Sequence, residues 1–243
     1  MTDRIADISL RQAAIVAGFG LLIMTIFAVF ADFFVFQKLI VPGDAATTAN
    51  NIIASEMLFR TGIGCILIVL ICDVVVAWAL YIFLKQVNKN LSLLTAWLRL
   101  VYAAMLGIAM LNFVVVLILL SGADYLAVFE TDQLHAQVLL FLNAFYDVWA
   151  LGLIVFGFHL AALGYLAFKS DYIPKILGIL LMAAGLGYLI DYFGSLLFPN
   201  SDVAISMVLG WGELIFMFWL LFKGGKMPTK DVGKESNEVK VDE

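Results

Sequence analysis

Six apolar stretches dominate this chain, at roughly Ala13–Phe36, Thr61–Leu84, Leu91–Leu120, Ala136–Phe168, Ile176–Phe198 and Val203–Phe222. A helix of about 20 apolar residues crosses a hydrocarbon core of about 30 Å, and each stretch reaches that length. A water-soluble fold has no way to bury six such runs in 243 residues, so the spacing predicts an all-α, six-pass membrane bundle. At 64% hydrophobic and 14% charged, the composition excludes a soluble domain with a large core. No basic cluster suggests nucleic acid.

The placement of basic residues predicts the orientation. With the N-terminus inside, twelve of the fourteen Lys and Arg fall on inner segments or inner helix ends, from Arg4 and Arg11 through Lys85, Lys89, Arg99, Lys169 and Lys175 to the last segment. Only Lys38 and Arg60 fall outside. Basic residues in short loops stay cytoplasmic, so both termini are expected in the cytoplasm and the protein in the cytoplasmic membrane. Residues 1–222 read as one transmembrane domain and residues 223–243 as a disordered cytoplasmic tail. The first apolar run is too long for a signal-peptide core, so it is expected to be retained as a span.

Turn residues organise the connections. Pro42-Gly43 marks a turn, Asp44 is suited to cap a helix, and Ala45–Phe59 reads as an outer interfacial helix leading into the second span. A continuous helix through Leu84 is the competing reading. Pro174 suits a first helical turn. Short echoes, Tyr81–Lys85 with Tyr165–Lys169 and Asp32-Phe33 with Asp191-Tyr192, match generic interface anchors as well as an internal repeat. The scattered glycines suit close helix packing.

Cys65 and Cys72 lie about 10 Å apart along one helix, beyond disulfide reach, and read as packing residues. With only His135 and His159 and no ligand cluster close in sequence, no metal site and no cofactor are expected.

The candidate functional residues are the polar groups inside the apolar runs. A charge in hydrocarbon is costly and normally faces the bundle interior with a partner. Asp73 and Arg99 lie on hairpin neighbours at matching depths, about 14–17 Å from the inner edge, which predicts an intramembrane ion pair. His159 and Glu213 share a depth and are expected to form a second polar pair. Asp32, Asn112, Asn143, Asp147 and Asp191 lie nearer the outer face with Arg60. Asn143 and Asp147 are spaced i, i+4 and share a helix face. These residues suggest an outward-facing acidic cavity, because too few basic partners exist to neutralise every carboxylate. Any one of them taken alone is explained as glue between helices.

Leu39-Ile-Val-Pro-Gly-Asp-Ala-Ala46, Leu58-Phe-Arg-Thr-Gly62, Cys72-Asp-Val74, Val87-Asn-Lys-Asn-Leu-Ser-Leu-Leu94 with Arg99-Leu-Val101, Phe156-Gly-Phe-His-Leu160 and Ile173-Pro-Lys-Ile-Leu-Gly178 occur in that order. Together they resemble the uncharacterised prokaryotic integral-membrane family, domain of unknown function 4386, over nearly all of the chain except the tail. The resemblance implies six helices in a bacterial or archaeal membrane and implies no activity. It draws attention to Asp32, Arg60, Asp73, Arg99, Asn112 and His159. Gln86 stands where the family has proline, which bears on the stiffness of that turn.

Three functions follow from the residues. The leading one is a binding or transport module for a small cation, proton or polar lipid headgroup. The alternatives are an intramembrane enzyme acting on a lipid or isoprenoid with an Asp as general acid or base, and a structural or regulatory protein without a small ligand. Membrane lipids are the expected surroundings. Oligomeric state is not legible in the residues.

Overall fold

The computed structural model describes residues 8–198 and 204–224. Among them, six helices are long and apolar enough to cross a membrane. They are α1 (Leu10–Leu39), α3 (Glu56–Leu84), α4 (Lys89–Leu119), α5 (Thr131–Lys169), α6 (Lys175–Leu197) and α7 (Ile205–Phe222). A shorter helix, α2 (Ala45–Ala54), precedes α3. The tail beyond Gly224, and the residues between Phe198 and Ala204, lie outside the described residues.

Helix boundaries follow from capping chemistry. The Ser9 hydroxyl accepts from the Gln12 amide, and the Gln12 side chain accepts from the Ser9 amide, closing a capping box at the start of α1. Asn88 accepts from the Leu91 amide and starts α4. Pro174, which has no N–H to leave unpaired, precedes α6.

The chain runs around a closed ring. Helix α1 packs on α3, α3 on α4, α4 on α5, α5 on α6, α6 on α7, and α7 returns to α1. The outward faces are apolar at helical spacing: Leu67, Ile71, Val74 and Trp78 on α3 are all largely exposed, as a lipid-facing stripe requires. The residues are thus arranged as in a multi-pass membrane protein.

Close approach of α5 and α6 depends on glycine. A Cβ on Gly164 would sit 2.6 Å from the Met182 nitrogen and 2.7 Å from the Gly178 oxygen. Without a hydrophobic effect between helices in lipid, such backbone proximity supplies the packing.

Two helices carry local irregularities. In α1 the seven residues Phe30–Phe36 form a π-helix that contains Asp32. In α7 a turn at Gly210 lies between Ile205–Leu209 and Trp211–Phe222, with the Gly210 amide still donating to the Ser206 carbonyl at 2.7 Å. Both lie toward the end of the bundle far from the described chain ends.

A helix stands before the second span, as the sequence suggests, but it runs Ala45–Ala54 and does not extend to Phe59. It is separated from α3 by a kink at Ser55, so the continuous-helix reading does not hold. Thr48, Ala49 and Ile52 are fully buried, and α2 packs on α5. The Thr48 hydroxyl both accepts from the Val41 amide and donates to the Val41 carbonyl, and Asn51 donates to the Leu39 carbonyl. The segment therefore packs against α5 while hydrogen-bonded to the chain leaving α1.

Candidate functional site

The ring surrounds a cavity of about 660 Å³, within the range of small-molecule sites. All six spans line it. Helix α5 offers Phe145, Trp149, Leu153 and Phe156, at spacings of four, four and three, so one helical face supplies them. Helix α1 contributes Met24, Thr25, Ala28 and Asp32, α4 contributes Arg99, Tyr102 and Leu106, α6 contributes Tyr188, and α7 contributes Glu213, Leu214 and Met217.

Arg99 forms the deepest polar centre. Its Nη2 lies 2.7 Å from Asp73 Oδ1, with the two side chains 2% and 0% exposed. The same nitrogen approaches Met24 sulfur at 3.7 Å. Its Nη1 lies 3.3 Å from His159 Nε2, and the guanidinium stands 5.7 Å from the Phe156 ring centroid. His159 Nδ1 lies 2.8 Å from the Thr95 carbonyl. A carbonyl only accepts, so the geometry places the imidazole proton on Nδ1 and leaves Nε2 to accept from Arg99. One guanidinium thereby ties α1, α3, α4 and α5 together. Arg99 Nε, also buried, has no protein partner.

His159 does not pair with Glu213. Helix α5 turns His159 toward Thr95 and Arg99 of α4, whereas Glu213 lines the cavity beside the Tyr188 hydroxyl of α6. Equal depth in two spans does not place them on facing sides of a ring.

The proposed outer acidic group is dispersed. Asn143 and Asp147 are exposed, on a face of α5 different from the cavity face. Asn112 is half-buried and donates to the Ala109 carbonyl of its own helix. Asp191 is buried and accepts from the Ile205 amide at 2.9 Å and the Ser206 amide at 2.6 Å, capping the short first part of α7. It lines a second hollow with Tyr192 and Ser195, which adjoins the large cavity at Tyr188, Ser206 and Met207. Asp32 alone of the five lines the large cavity, where it accepts from the Gln37 amide nitrogen at 2.8 Å. Arg60 pairs with Glu56 one turn earlier, on the exposed surface.

Tyr102, Trp149, Phe156 and Tyr188 are cavity residues that the sequence did not single out. The Trp149 indole donates to the Tyr102 hydroxyl at 3.3 Å, and the Tyr102 and Phe156 rings lie 4.7 Å apart. Aromatic residues inside apolar runs carry no signal that separates a cavity wall from ordinary packing. Among the described residues no group of three or more His, Cys, Asp or Glu is placed to hold a metal.

The chain is similar to an "Uncharacterized protein" of Archaeoglobus fulgidus, 39% identical over 162 residues, which are 67% of this chain and 83% of the relative. No solved structure matches it. The family model described as Domain of unknown function (DUF4386) matches residues 16–224, from the first span to the end of the last, and the chain belongs to that family.

Proposed function

We propose that this protein is a binding or transport module of the cytoplasmic membrane, with both termini inside, whose central cavity holds a cation or the cationic part of a polar headgroup. One observation carries the reading. Glu213 lines the cavity, and no basic side chain lies within ion-pairing distance of it among the described residues, where the ion pairs are Arg60–Glu56 and Arg99–Asp73. Arg99 is in contact with Asp73 and acts on Glu213 only at longer range. A carboxylate at this depth in a membrane calls for a counter-charge, and a ligand cation supplies one. Asp32, nearer the far end, adds a second acid to the same space. The aromatic side chains Tyr102, Trp149 and Tyr188 in the cavity wall suit an alkylated ammonium group, which is attracted to aromatic rings.

The π-helical stretch of α1 borders the cavity through Asp32, Phe33 and Phe36, and such stretches are frequent at functional sites. The test is binding of labelled choline and tetramethylammonium to the protein in nanodiscs made without amine-bearing lipids. Saturable binding that weakens tenfold or more in Glu213→Gln is expected. Saturable binding that Glu213→Gln leaves unchanged, or no saturable binding at all, would remove this reading.

A further inference from the structure

Among the described residues the cavity is not closed between α1 and α7. The packing of α1 against α7 is concentrated toward the chain ends, where Gly18 meets Leu221, Gly224 meets Ala14, and the Thr25 hydroxyl approaches the Met217 sulfur at 3.9 Å. Farther along, residues of the two helices line the cavity from opposite sides. Four of these, Val29 and Phe33 on α1 with Met207 and Trp211 on α7, are 45%, 59%, 81% and 65% exposed. A side chain that lines a cavity and is also widely exposed forms its rim. All four are apolar or aromatic.

Depth decides what this rim faces. At helical rise, Val29 lies about 15 Å from the far end of α1, and Trp211 about 9 Å from the far end of α7. One leaflet of hydrocarbon is about 15 Å deep, so the mouth opens along the side of the bundle at the level of acyl chains. A mouth facing water would not be expected to carry four large apolar side chains. Arg99, Tyr102, Tyr188 and Glu213 lie deep inside the cavity, Asp32 adds an acid beside the rim at Phe33, and Ala28 and Val29 lead out along α1.

We infer that the ligand is an amphiphile with an ammonium head and a hydrocarbon tail, which enters laterally from the leaflet at the far end of the bundle between α1 and α7. The head reaches Glu213 among the aromatic side chains, and the tail trails through the apolar rim into lipid. This rests on the cation-binding reading above and adds the class of ligand and its route.

The experiment compares labelled choline with labelled dodecyltrimethylammonium in nanodiscs. Each concentration is corrected for partition into nanodiscs without protein, so that only binding to the protein is counted. Tenfold or stronger site binding of the tailed ligand is expected. It should fall at least fivefold in Val29→Trp and in Met207→Trp, which obstruct the rim from either edge at exposed positions. Ile108→Trp, on the lipid face of α4, should leave it unchanged. Equal corrected affinity for the two ligands, both lost in Glu213→Gln, would overturn lateral capture and leave the cation site standing. Tailed binding that both rim variants leave intact would overturn the route. Absence of site binding by either ligand would overturn both readings.

Discussion

Arg99 and His159 meet at 3.3 Å through Nη1 and Nε2, with the other imidazole nitrogen 2.8 Å from the Thr95 carbonyl. The contact joins α4 to α5 in the protein interior and uses both ring nitrogens. His159→Phe leaves a buried guanidinium proton without its acceptor and should lower stability by about 1–3 kcal/mol. His159→Gln, which has both an acceptor and a donor, should lose less. Denaturant unfolding in bicelles measures the difference, and equal losses would show that the imidazole contributes only volume.

The Asp73–Arg99 pair is almost wholly enclosed. Removing one partner strands the other charge, so Asp73→Leu or Arg99→Leu should each lower stability by about 3–5 kcal/mol. The double change should recover much of that loss, because two apolar side chains leave no charge behind. A double-mutant cycle reads the coupling, and additive losses would contradict it.

Backbone proximity at Gly164 makes a sharper case than its composition does. Gly164→Ala forces a methyl group into the Met182 and Gly178 backbone and should cost about 1–3 kcal/mol. Gly64→Ala, whose Cβ would meet open space within 4 Å, should be neutral or slightly stabilising. Thermal unfolding of the two variants side by side tests this pairing of outcomes.

Asp44 caps α2 by accepting from the Thr47 amide at 2.9 Å and the Thr47 hydroxyl at 2.7 Å. These bonds, the amide foremost, hold its carboxyl below the usual value of 3.8. A lowered folded-state value means the cap is fully present above 3.8 and is lost as pH falls through that lowered value. Exchange protection of the first-turn amides of α2 should therefore drop in acid. In Asp44→Asn it should stay level, since the amide oxygen accepts at every pH.

Orientation is open to a direct measurement. Ser121 and Asn90 are exposed at opposite ends of α4. In a cysteine-free background, Ser121→Cys should react with a membrane-impermeant maleimide on intact cells and Asn90→Cys should not. The reverse result would place the cavity mouth in the inner leaflet.

Span number, the approximate span limits and the Asp44 cap were legible in the residues, because each follows from local physics. A hydrocarbon core demands a set length of apolar helix, and a cap needs a side chain three residues from its donor. The depth match of Asp73 and Arg99 was also readable, since a short turn forces α3 and α4 side by side. Beyond hairpin neighbours, depth was not enough. His159 and Glu213 share a depth, yet the rotation of α5 about its axis gives His159 to α4, and the ring order gives Glu213 to Tyr188. Asn143 and Asp147 share a face as expected, but Phe145 and Trp149 occupy the face that meets the cavity. Asp191, a polar residue in an apolar run, serves the backbone amides of Ile205 and Ser206. Local sequence thus determines how many helices cross and where each begins. Helix rotation and ring closure, set by long-range packing such as Gly164 on Gly178, decide which buried polar groups share a cavity and which only hold the chain in place.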